Sequence, residues 1–347
     1  MYTLRLLFLV PLSILCLQST AQVEDLMRDK NITWMVESYN DFLTDERAAE
    51  KIGKEVSRVR TLKFLNLTEE YVSDELALQN YILEAVKKGE IVMYKDANCA
   101  IVHPIDDLVR LDTSQNCFNI NPFAPSFFVY KIYPEGEDVY FFRARQVLYY
   151  NSKTVQFGLR TIAIAPMKRE TNEAGEIVAW KPLFWMKVTD LSKKHNLSDD
   201  AVIWAKQMNL RDGVALKADS VKVLKQINDS VPIAPLFQAF LTKPKIPFYK
   251  PDSLWARYSL NERQKLFIQR DTITCAGGDA VLEPKIINRD IHASDIVGLR
   301  LLQNWYWNDK KKRLEIYLVA TAPLKDIKNE ADEFLFRQAL FYRRTDD

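Results

Sequence analysis

Glycine, cysteine and histidine are all scarce here: nine, four and three among 347 residues. So few glycines leave no phosphate-cradling loop. Gly277-Gly278-Asp279 is a turn signal, because no Gly-x-Gly-x-x-Gly or Lys-Ser/Thr pattern surrounds it. There is no Gly-x-Ser-x-Gly elbow either. Of the histidines, His103, His195 and His292, none stands at helical spacing from another, so no helical zinc pair is available. His103, close to Asp106 and Asp107, is the one place where a ligand cluster could gather, and it reads as a solvated loop. Asp199-Asp200 and the Glu135/Glu137/Asp138 group read the same way. Charge of one sign is also missing: 48 basic residues face 46 acidic ones, which gives no reason to expect nucleic acid as a partner. These gaps point away from an enzyme, and from any cofactor or metal.

What is present begins at the N-terminus. Arg5 precedes the uncharged apolar run Leu6–Leu17, and Ser19-Thr20-Ala21 places small residues before a cleavage point between Ala21 and Gln22. The run is roughly 12 residues, short of the ~20 that a membrane-spanning helix needs, so it reads as a signal peptide over residues 1–21. Cys16 follows Leu15 where a lipoprotein signal needs a small residue. The mature chain is therefore expected outside the cytoplasm without a lipid of its own. It would retain Cys99, Cys117 and Cys275. A Cys99–Cys117 bridge in an oxidising compartment would contribute on the order of 3 kcal/mol; three unpaired buried thiols are the alternative.

Residues 23–90 read as helical, with Leu26, Ile32, Met35, Val36, Tyr39 and Phe42 at helical spacing and a second helix at Thr68–Lys88 stopped by Gly89. Glu90–Tyr94 reads as a short strand. From Ser126 the period becomes two: Phe127–Tyr133, Val139–Tyr150, Thr154–Ala165 and Ile177–Val188 read as strands. Residues 190–230 return to helical patterns, with Ser198 or Asp199 capping a helix over Ala201–Asn209. Val231–Pro251, with five prolines, reads as a linker.

An internal repeat flanks that linker. Gln146–Lys168 lies over Gln303–Lys325 without a gap, with identities at Gln146/Gln303, Tyr149/Tyr306, Asn151/Asn308, Lys153/Lys310, Ala163/Ala320, Ala165/Ala322, Pro166/Pro323 and Lys168/Lys325. Each copy spells an aromatic strand, an Asn-led turn, a second strand and an Ala-x-Ala-Pro exit, where proline should end the pairing. The helix Thr68–Lys88 finds no counterpart in the second copy. The expectation is an α+β protein: N-terminal helices followed by two related antiparallel β-hairpin-centred units, over residues 22–230 and 252–347. Trp180, Trp185, Trp305 and Trp307 belong to the sheet core or, in an alternative reading, to a secreted glycan- or peptide-binding module.

The run Arg160-Thr-Ile-Ala-Ile-Ala165-Pro166, the loop at Gly175, and Pro182-Leu-Phe184-Trp185 resemble the core signature of the GldN/PorN family. Leu83–Tyr94 is similar to that family's helix–Gly–strand–Tyr stretch, and Ser253-Leu-Trp255 with Asn261-Glu-Arg263 to its N-terminal region. Asn308, Ala322 and Pro323 are the repeat counterparts of the signature. The resemblance implies a non-catalytic periplasmic subunit of the type IX secretion and gliding apparatus, held at the inner face of the outer membrane. It also implies two partners: an outer-membrane lipoprotein of the GldK/PorK type and a periplasmic motor shaft protein.

Overall fold

The computed structural model describes residues 23–43, 77–115, 127–192, 201–209, 213–215, 221–227, 231–251, 253–266, 268–273, 285–329 and 333–347. Its first half holds β1 (Ile32–Phe42), α1 (Ala77–Lys87), β2 (Arg110–Gln115), β3 (Phe127–Ile132), β4 (Phe141–Asn151), β5 (Gln156–Thr171), β6 (Ile177–Pro182) and β7 (Met186–Lys187). The two-residue strand β8 (Thr189–Asp190) leads onward. The second half holds β9 (Val202–Asn209), β10 (Val214–Ala215), β11 (Lys222–Gln226), α2 (Ile233–Thr242), β12 (Tyr249–Lys250), β13 (Ser253–Arg257), α3 (Leu260–Leu266), β14 (Ile268–Ile273), β15 (Lys285–Asp290), β16 (Ile296–Asn308), β17 (Arg313–Lys328), β18 (Phe334–Ala339) and β19 (Arg343–Arg344).

The expected α+β chain opening on helices is overturned: strands dominate, and the helices among the described residues are short. β1 buries Ile32, Trp34, Met35, Val36 and Phe42, on both of its faces. Apolar residues on two buried faces recur at intervals that mimic a helix, which is why this segment reads as one. Only residues 23–28 and α1 are helical in the described part of 23–90. Around Glu90–Tyr94 the structure has a single bridging residue, Tyr94, facing Val102 and Trp185. The described residues between 190 and 230 likewise form strands where helices were expected, and β9 alternates strictly between buried and half-buried positions; Ser198 and Asp199 lie outside the described residues. Val231–Pro251 is no extended linker, since α2 lies inside it with Ile233, Leu236, Phe237 and Phe240 buried.

Two large sheets result, antiparallel except for β8, beside the two-stranded ladders β2–β3, β12–β13 and β14–β15. One has the order β11-β1-β4-β5-β6 with β7 beside β5; the other runs β10-β16-β17-β18, with β9 on β16 and both β8 and β19 on β17. Gln146 and Gln303 lie 157 residues apart, and that offset reproduces nearly every feature after α1 and α2. The hairpins β4–β5 and β16–β17 carry the same extra residue, Ile162 and Val319, at the same place in the ladder. Both turns put a non-glycine residue at positive φ, Val155 and Lys312. Both hairpins are preceded by a 3-10 turn whose backbone is closed by a side chain three residues on, Glu135 N–H to Asp138 and His292 N–H to Asp295. Asn172 N–H reaches the Glu176 carbonyl as Asn329 N–H reaches that of Glu333. Tyr94 exchanges both backbone bonds with Trp185, and Tyr249 does so with Tyr342. α2 is thus the counterpart of α1.

Pairing does not stop at the prolines. Phe142↔Pro166 and Leu299↔Pro323 sit within their ladders, and both strands run on past them. Each proline still offers its carbonyl, which accepts from Leu183 N–H or Leu340 N–H.

The packing interlocks the halves. α1, through Leu78, Ile82, Leu83 and Val86, shares a core with Trp305, Trp307, Leu314 and Ile316 of the second hairpin. Reciprocally, α2 shares one with Leu148, Tyr150, Phe157 and Leu159 of the first. Each helix covers the other half's hairpin tip, so the apolar burial that drives folding is shared between halves.

Candidate functional site

The place where the halves meet is built from the hairpin bulges. Near the pseudo-twofold axis Gln146 Nε2 donates to Gln303 Oε1 at 3.2 Å and to Thr161 Oγ1 at 3.1 Å. Trp305 Nε1 donates to the same Gln303 oxygen at 3.1 Å, and Asn40 Nδ2 to Gln146 Oε1 at 2.9 Å. Buried amides of this kind fix which partner surfaces meet, because misplacing them would leave polar groups unpaired.

Beside this layer, β8 lies parallel to β17, pairing Thr189 with Glu315 and Asp190 with Ile316, and Leu191 N–H donates to the Ile316 carbonyl at 2.7 Å. The Asp190 carboxylate reaches across to the first half. It accepts the Thr161 N–H, next to bulged Ile162, at 2.8 Å, and stands 3.8 Å from Arg160 Nη1. Burial pushes the Asp190 carboxyl up to about 7, against the opposing pull of Arg160 and the Thr161 amide. Asp190, with Leu191 and Ser192, itself lines a cavity of about 230 Å³ at the joint, closed by Tyr149, Gln156 and Leu159 from the first hairpin and by Tyr317 and Thr345 from the second half. The Tyr149 ring lies directly over Gly158, so a Cβ there would have to displace it.

A second surface lies at the outer edges. β6 exposes Ile177 and Val178, and its counterpart β18 exposes Phe334, Leu335 and Phe336. Among the described residues each of these strands pairs on one side only. Unpaired edges bearing apolar side chains are surfaces onto which other chains dock.

The signature residues are mostly structural. Ala165 is buried opposite Arg143, Phe184 is buried, and Trp185 packs edge-on against Tyr39 at 6.1 Å. Pro182 ends β6 at the surface, and Arg160 faces Asp190. Of the counterparts, Ala322 is buried, Pro323 mirrors Pro166, and Asn308 is buried with its amide on Glu315 at 3.2 Å. Trp305 and Trp307 are fully buried, so neither can stack on a ligand; Trp180 is half-buried against Tyr140 and Phe141. Cys99 is buried, whereas Cys117, Cys275, His195, Ala21 and Gln22 lie outside the described residues. His103 stands 3.6 Å from Asp107, which pairs with Lys95, and no group of three potential metal ligands gathers among the described residues. Asp190 has no sequence signature; only its position across from a bulge marks it.

Residues 54–217 match the model of a family described as gliding motility associated protein GldN. That span takes in α1, the first hairpin, β8 and β9. No curated protein matches the chain.

Proposed function

Because residues 54–217 are GldN-like, we propose that this gliding-motility-associated chain is a non-catalytic structural subunit of a bacterial envelope machine of the type IX secretion and gliding kind. The family match carries the reading. On it, the protein works in the periplasm at the inner face of the outer membrane, reached through the signal peptide at residues 1–21. It is retained there by a lipoprotein of the GldK/PorK type and touches a periplasmic shaft protein. Two features support a role in assembly: the two halves share their buried cores, and the edges β6 and β18 present apolar side chains to neighbours. Affinity purification from detergent-solubilised membranes tests it. Recovery in an oligomeric complex with a lipoprotein is expected; recovery as a lone monomer overturns it.

A further inference from the structure

A second cavity, of about 380 Å³, opens between α2 and the tip of the first hairpin. Trp34, Tyr150 and Val155 wall one side; α2 walls the other through Pro232, Pro235, Ala239 and the residue that closes it, Lys243. Those four recur at helical spacing on one side of α2, while Ile233, Leu236, Phe237 and Phe240 turn to the core. The volume lies within the range of small-ligand sites. We propose that this cavity binds a small carboxylate with an apolar body, its charged end toward Tyr150 and Lys243 and its body against Val155, Pro232 and Pro235.

The polar groups around it are donors in want of acceptors. Tyr150 is only 2 % exposed, yet its hydroxyl has no hydrogen-bond partner among the described residues. Burial pushes this phenol up to about 12, so it keeps a proton to donate. The indole N–H of buried Trp34, which can only donate, is likewise unpaired among the described residues. Polar groups buried in this way are costly unless something meets them. Lys243 stands exposed at the rim with no ion pair among the described residues. Its backbone is held in place: the N–H donates to the Ala239 carbonyl at 2.9 Å, and the carbonyl accepts from Arg263 at 3.1 Å. No acidic side chain is among the described residues that line the cavity. The other half differs at this point. Its hairpin tip carries Asp309 and Lys312, the counterparts of Ser152 and Val155, and they pair with each other at 2.7 Å. The first tip brings no carboxylate of its own, so an anion for these donors has to come from a ligand.

The test titrates the purified full chain with 3-phenylpropionate and with its neutral match, 3-phenylpropionamide, by calorimetry and saturation-transfer NMR at low ionic strength. The acid should bind saturably and about threefold tighter than the amide, a modest factor because the lysine is exposed and screened. Tyr150→Phe removes only the hydroxyl and should weaken the acid about tenfold, the worth of a buried hydrogen bond to a charged group. Lys243→Met should bring acid and amide to equal affinity. Gln238→Trp, a change at an exposed residue lining the cavity, should block both and serves if Tyr150→Phe proves unstable. Thermal melts check that each variant is folded. No saturable binding of the acid, no preference for it over the amide, or affinities unchanged in the folded variants overturns the proposal.

Discussion

Two halves built to one plan have solved the same local problems with different residues. In the second half, the loop after α2 is held by buried Arg263, which donates to the carbonyls of Phe240, Lys243, Ile246 and Tyr258 and lies over the rings of Phe240 and Phe248. In the first half, the nearest counterpart position holds Leu108. The ion pair before it is shared, Lys95 with Asp107 and Lys250 with Glu262. Hairpin tips diverge too: Leu148 and Tyr150 stand where the second half has Trp305 and Trp307. The backbone plan, bulges and turns included, has stayed put while the side chains filling it changed. Core packing tolerates such exchange where volume is redistributed among neighbours, whereas a bulge displaced by one residue would reverse every side chain beyond it.

If the halves are interlocked rather than merely joined, separating them has the largest effect. Residues 23–192 expressed alone should remain largely unfolded, because α1 loses the hairpin tip it covers. A cooperative thermal transition by circular dichroism in that fragment would break the comparison. Next, Trp305→Ala should cost about 4 kcal/mol in urea denaturation, and Leu148→Ala about 3, since the larger ring leaves the larger void. Trp305 packs against Phe42 and Phe142 of the other half, at 4.8 and 6.3 Å. Arg263→Met should cost about 3 kcal/mol by orphaning buried carbonyls; a near-neutral result would mean that the second half needs that hub no more than the first does.

Asp190 sharpens the asymmetry through pH. Its carboxyl stays protonated in the folded chain up to about pH 7, whereas in the unfolded chain it ionises near 4. The folded state thus binds more protons in this window. The stability contributed by this group is complete below about pH 4 and falls as pH rises, by ~1.4 kcal/mol per unit, until about pH 7. Asp190→Asn should flatten that slope in melts taken across the window; an unchanged slope would show that Asp190 is not responsible. The smallest effect is expected at the axis. Gln146→Leu and Gln303→Leu should each cost about 1–2 kcal/mol singly, and the double change less than their sum, because neither glutamine is then left facing a hydrocarbon while the acceptors lost to Asn40 and Trp305 are counted once each.

The hairpins were legible because period-two aromatic and β-branched strands around an Asn-led turn are written locally. So was the repeat, where identities cluster at the turn, at the bulge-flanking alanines and at Gln146/Gln303. β1 and α2 were not legible. β1 is buried on both faces and loses its alternation, and α2 is a helix among prolines that shares only Ala234 with α1 in the repeat register. The joint was harder still: Thr189-Asp190 carries no motif, and its place between β17 and the bulge of β5 shows only in space.

By itself the sequence determined the local pieces: where strands turn, which residues repeat, and that catalytic motifs are missing. Those follow from backbone preferences and side-chain period, which act over a few residues. Only the tertiary structure decided that each half's helix covers the other half's hairpin and that Asp190 crosses between them. These depend on contacts between residues far apart in the chain, and the same local sequence is compatible with either arrangement until the two cores close together.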